Sequence, residues 1–130
     1  MNEHTELERQ KALAERIEAI LDQKNAKDIE RISVEGKTVL ADFFIVATAN
    51  NQTHIKSLAD EVEFKLKEEF DLLPHHVEGE DGRRWILLDY GDVIVNLFLS
   101  EERSFYNLEK LWSDRGRRLV EEKAGETDIE

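Results

Sequence analysis

The chain has 130 residues and a mass of 15.2 kDa, room for one domain of ordinary size and no second full one. Hydrophobic residues make up 40% and charged residues 37%, a mixture too apolar for a disordered chain, and the mean hydropathy of -0.58 describes a heavily solvated surface. Thirty Asp and Glu against eighteen Lys and Arg leave a formal charge of -12, which weighs against nucleic acid as the main direct ligand, since such binders gain affinity by neutralising phosphates, and fits a basic partner or, equally, a charge that serves only solubility or adaptation to salt.

In chain order, Thr5 with Glu8 has the form of a capping box, and Leu13, Ile17, Ile20 and Leu21 follow at helical spacing, predicting a helix over 4–24. From Asp28 the period changes. Ile29, Ile32 and Val34 predict a strand, Glu35-Gly36-Lys37 a turn, and the β-branched and aromatic stretch Thr38 to Ala49 its hairpin partner. Asn50-Asn51 can cap a second helix over 52–70, whose apolar stripe is Ile55, Leu58, Ala59, Val62, Leu66 and Phe70. Pro74 opens a short edge strand through His75, His76 and Val77, and 78–82 is a loop. Two strands, 84–89 and 93–99, flank the tight connection Tyr90-Gly91-Asp92. Ser100 with Glu101 and Glu102 starts a last helix carrying Phe105, Leu108, Leu111 and Trp112. The fold class expected is α/β (α+β), a mixed five-stranded sheet flanked by helices. It forms one domain over 1–114, and the polar segment 115–130 reads as a disordered tail.

Chemistry is sparsely signalled. With no cysteine, disulfides, thiolate metal sites and cysteine nucleophiles are excluded. Neither a GxGxxG nor a GxxxxGK[ST] phosphate loop nor a GxSxG elbow occurs. Asp89 and Asp92 could hold a magnesium ion, but Asp and Gly also fill turns for conformational reasons. His75 and His76, adjacent on a strand, point to opposite faces and cannot share a metal; with His4 and His54 they read as surface residues, and no metal or other cofactor is expected. Apolar runs such as 43–47 and 85–88 are far shorter than a membrane span, and the N-terminus lacks a targeting pattern, so a cytoplasmic protein without membrane contact is expected. Strand alternation places Trp85, Leu87 and Asp89 on one face and Ile86, Leu88 and Tyr90 on the other. Trp85 beside a strand-end carboxylate fits a core position and a protein-interface anchor equally well.

Five ordered blocks carry a resemblance: Asp42 to Thr48; Ile55 to Glu61; Val77-Glu78-Gly79; Trp85-Ile86-Leu87-Leu88-Asp89-Tyr90-Gly91-Asp92-Val93; and Phe105-Tyr106-Asn107-Leu108-Glu109-Lys110-Leu111-Trp112. Together they resemble the ribosomal silencing factor family, also called the Iojap family, over residues 10–114. The resemblance implies a mixed sheet with helices on both sides, related in shape to nucleotidyltransferases but without their catalytic acids. It further implies a translational repressor that binds protein fourteen of the large ribosomal subunit and obstructs joining of the small subunit when nutrients are scarce. No catalysis is implied, and family members are often homodimers. Asn96 stands where the family usually has His, and Leu99-Ser100 where it usually has His-Pro. On this reading Trp85, Leu88 and Tyr90 supply apolar contact, while Glu78, Asp89 and Asp92 meet lysines and arginines of the partner. The competing readings are a divergent nucleotidyltransferase using Asp89 and Asp92 with magnesium, and an RNA-associated adaptor using Arg115 to Arg118.

Overall fold

The computed structural model describes residues 3–33 and 41–103. The order is α1 (Glu3–Gln23), β1 (Lys27–Ser33), β2 (Phe43–Ala49), α2 (Gln52–Phe70), β3 (His76–Glu78), β4 (Trp85–Asp89), β5 (Val93–Leu99) and α3 (Ser100–Arg103). The predicted elements are thus present. The expected 35–37 turn, the helix beyond Arg103 and the tail lie outside the described residues.

Helix α1 begins at Glu3, ahead of Thr5, so Thr5 is not its cap. It ends where Asn25 turns left-handed (φ 66) and Ala26 N–H donates to the Leu21 carbonyl at 3.0 Å. Asn51 caps α2 as anticipated, its Oδ1 accepting the His54 N–H at 2.8 Å. His54 is not a plain surface residue. Its Nδ1 accepts the Asn50 N–H at 2.9 Å and its Nε2 donates to the Lys24 carbonyl at 2.8 Å, tying the end of α1 to the start of α2. At the other end of the pair, the Arg16 guanidinium grips Glu69 with two bonds of 2.7 Å.

The sheet order is β1-β2-β5-β4-β3, with β2 and β5 parallel and every other pair antiparallel. Strands β2 and β5 are buried along their whole length, as their unbroken apolar sequences require of the sheet centre. Alternate residues, including Ile45, Ala47, Ile86, Leu88, Val95 and Leu97, pack against Ile17, Leu21, Ile55, Leu58, Val62 and Leu66 of α1 and α2, so both long helices lie on one face and not on both sides as the resemblance implies. On the opposite face Phe44, Val46, Leu87, Ile94 and Phe98 are buried, and Ile32 and Trp85 partly so. Asn96 shares their strand parity, is fully buried, and has neither amide atom hydrogen-bonded.

Candidate functional site

Three backbone constraints position the β3–β4 edge. Gly79 leaves β3 at φ +87, and a Cβ there would stand 1.9 Å from the Trp85 carbonyl oxygen, so only glycine lets the two chains approach. The following loop closes through the Arg83 N–H to the Gly79 carbonyl at 3.0 Å. Beyond β4, Gly91 at φ +90 permits the turn into β5, closed by Tyr90 N–H to the Val93 carbonyl at 3.0 Å. These constraints set Trp85 at the start of β4 on the face away from α1 and α2, half-buried, its ring stacked on Phe98 with centroids 6.3 Å apart.

The carboxylates at the far end of β4 are engaged locally. Asp89 Oδ1 accepts the Gly91 N–H at 2.8 Å, and its main-chain carbonyl accepts the His75 N–H at 2.7 Å. Asp92 Oδ2 accepts from Gln10 Nε2 at 2.7 Å, while its carbonyl takes the N–H groups of Asp42 and Phe43. Asp89 therefore shapes the turn, as Asp does for conformational reasons, while the Asp92 carboxylate ties the turn to α1. Glu78 accepts from His76 Nε2 at 2.9 Å on the edge strand. Among the described residues no group of three or more His, Asp or Glu side chains is arranged to hold a metal ion.

Two members of the expected contact set are not at the surface. Leu88 is fully buried and Tyr90 is 7% exposed, both within the cluster under α1 and α2. Alternation causes this: they share the parity of Ile86, and that face is the helix-covered one. Trp85, Glu78 and Asp89 remain half-buried and Asp92 exposed; Trp85 opens β4, Glu78 pairs with Leu87 from the edge strand β3, and Asp89 and Asp92 stand at the far end of β4, so the four are spread along the β3–β4 pair and its turn rather than gathered in one cluster. Sequence reasoning missed the apolar side chains that are exposed, Phe64, Phe70 and Leu73. The proline that stops the helix signal was the available hint for Leu73, which lies in the irregular link before β3.

The Tyr90 hydroxyl is buried without a hydrogen-bond partner. Burial first, and the Glu63 carboxylate second, push its phenol well above its ordinary value. A folded value above the unfolded one means that its contribution to stability is intact below about pH 10 and is lost as the pH rises beyond that. Tyr90→Phe removes an unsatisfied polar atom at constant shape. Denaturant unfolding should show it unchanged or stabilised by about 1 kcal/mol at neutral pH, with a shallower loss of stability in alkali.

The chain matches the family model described as "Ribosomal silencing factor during starvation" over residues 7–130. It is 38% identical over 105 residues to the ribosomal silencing factor RsfS of Bacillus subtilis, covering 81% of this chain and 88% of that one. It is also similar to the mouse protein named mitochondrial assembly of ribosomal large subunit protein 1, at 32% identity over 75% of this chain and 43% of that one. The crystal structure of protein CV0518 from Chromobacterium violaceum superposes with a TM-score of 0.73 at 32% identity, covering 79% of this chain and 85% of that chain.

Proposed function

The chain belongs to the ribosomal silencing factor family, and from that premise we propose that it represses translation by binding protein fourteen of the large ribosomal subunit and blocking the approach of the small one. The family match over residues 7–130 carries this reading. The name of the mouse relative, which concerns the large ribosomal subunit, supports the choice of subunit. A domain of this size is about 30 Å across, enough to obstruct a joining surface with no covalent step.

The contact set narrows to Trp85, Asp89, Asp92 and Glu78, since Leu88 and Tyr90 belong to the core. A net charge of -12 steers the chain toward basic ribosomal protein and away from ribosomal RNA, and desolvated aromatic area slows release. Asp89 and Asp92 each already accept an intramolecular hydrogen bond, which disfavours the magnesium-dependent alternative. Incubation with nucleoside triphosphates and magnesium should accordingly give no turnover.

Trp85→Ala should weaken sedimentation with purified large subunits by about 2 kcal/mol or more while circular dichroism shows the fold retained. Asp92→Lys should slow association and flatten its salt dependence; Asp89 is less suitable because its carboxylate closes the Gly91 turn. The direct test is light scattering of subunit joining with the chain in excess, where the expected result is a reduced joining rate. An undiminished rate would remove the proposal.

A further inference from the structure

Among the described residues, large apolar side chains are exposed at two places: Phe64 (57%) on the outward ridge of α2, and the pair Phe70 (45%) and Leu73 (61%) where α2 gives way to β3. Phe64 has neighbours of both signs, Lys56, Asp60, Glu61 and Arg83, and points to no particular partner. The corner holding Phe70 and Leu73 differs in two respects.

It is rigid. Asp71 caps α2 in the left-handed conformation, its N–H donating to the Lys67 carbonyl at 3.1 Å, and Leu72 N–H donates to the Leu66 carbonyl at 3.2 Å. Leu72 turns inward onto the core, Pro74 restricts the next step, and His75 N–H is anchored to the Asp89 carbonyl. Leu73 is held outward between two fixed points, so presenting it costs little further ordering on binding. The corner is also one-sided in charge. From Glu68 to Gly82 the sequence carries six carboxylates and neither lysine nor arginine. Arg16, Lys67 and Lys56 from elsewhere pair with Glu69, Asp71 and Glu80, leaving the edge negative. It joins the Glu78 and Asp89 edge described above through the His75 anchor.

We infer that Phe70 and Leu73 are further apolar anchors of the docking surface, in addition to Trp85, inserting into a basic protein surface of the large subunit while Glu68, Glu78 and Asp89 face its lysines and arginines. An apolar centre inside a rim of one charge is the arrangement in which aromatic and aliphatic anchors carry affinity and the rim sets orientation and rate. This rests on the proposed ribosomal function and supplies the apolar contact that Leu88 and Tyr90, being core, cannot.

The test compares the full chain with Leu73→Ser, Phe70→Ser and Phe64→Ser in binding to purified large subunits, with thermal melts run in parallel. Leu73→Ser and Phe70→Ser should each bind about tenfold more weakly at an unchanged melting temperature, and Phe64→Ser should bind as the parent does. Where a melting temperature falls, Leu73→Gln or Phe70→Gln replaces the variant at its own position. A photocrosslinker at position 73 should capture a basic ribosomal protein. Parent-like binding of both corner variants, an equal loss in Phe64→Ser, or crosslinking to ribosomal RNA would each overturn the inference and leave the ribosomal function standing. Failure of the parent chain itself to bind large subunits would instead remove the function on which the inference depends.

Discussion

Gly79→Ala is expected to destabilise the chain by about 3 kcal/mol or more, read as a fall of roughly 10 °C in melting temperature. Two independent costs add. At φ +87 an L side chain is strained, and the new Cβ would stand 1.9 Å from the Trp85 carbonyl oxygen, a backbone atom that cannot swing away. Relief requires β3 and β4 to part just where Glu78 pairs with Leu87. Large-subunit binding should fall with it, because Trp85 and Glu78 lie on the strands being separated. Gly82→Ala is the control: nothing stands within 4 Å of a Cβ there and the residue is not at positive φ, so its stability should be unchanged or raised by a few tenths of a kcal/mol.

Leu88→Ala is expected to cost about 3 kcal/mol, within the range for emptying a fully buried leucine site. The side chain lies in the middle strand of the β3–β4–β5 ladder, paired across to Val77 and Val95 and facing the helix layer, so little can collapse into the space. Urea unfolding should show the midpoint shifting at unchanged slope. Once corrected for the folded fraction, binding to large subunits should be close to that of the parent. Trp85→Ala should show the opposite pattern, a modest loss of stability and a large loss of binding. The two variants together separate core from contact along four consecutive residues.

The elements were readable because local rules agree with the global fold along most of the chain. Asn51 caps α2 as its residue type suggests, the stripe Ile55, Leu58, Ala59, Val62 and Leu66 is the buried one, and β2 and β5 are central as their unbroken apolar sequences require. Thr5 misled because a polar residue followed by Glu three positions later also occurs inside helices, and here α1 starts two residues earlier. Phe70 continues the apolar stripe of α2 in sequence, yet it is the last residue of the helix, past the sheet edge that would have covered it, and remains 45% exposed. The contact set was only half legible for a sharper reason. Alternation separates Trp85 from Leu88 and Tyr90, but which face the helices cover is a tertiary fact that no period-two pattern encodes. His54 was missed because both of its partners, the Lys24 carbonyl and the Asn50 N–H, are main-chain groups, and main-chain partners leave no trace in side-chain spacing.

The position of β5 has a consequence for biogenesis. The last strand to be made among the described residues is inserted between β2 and β4 and pairs in parallel with a strand fifty residues upstream, Phe43 with Val93 through Ala49 with Leu99. Until Leu99 is free of the ribosome that makes it, the nascent chain holds a β1–β2 hairpin and a β3–β4 hairpin with no strand to join them. Non-local closure of this kind is slow. A growing copy therefore cannot complete its sheet until Leu99 has emerged, and the two hairpins wait on β5 to become one layer.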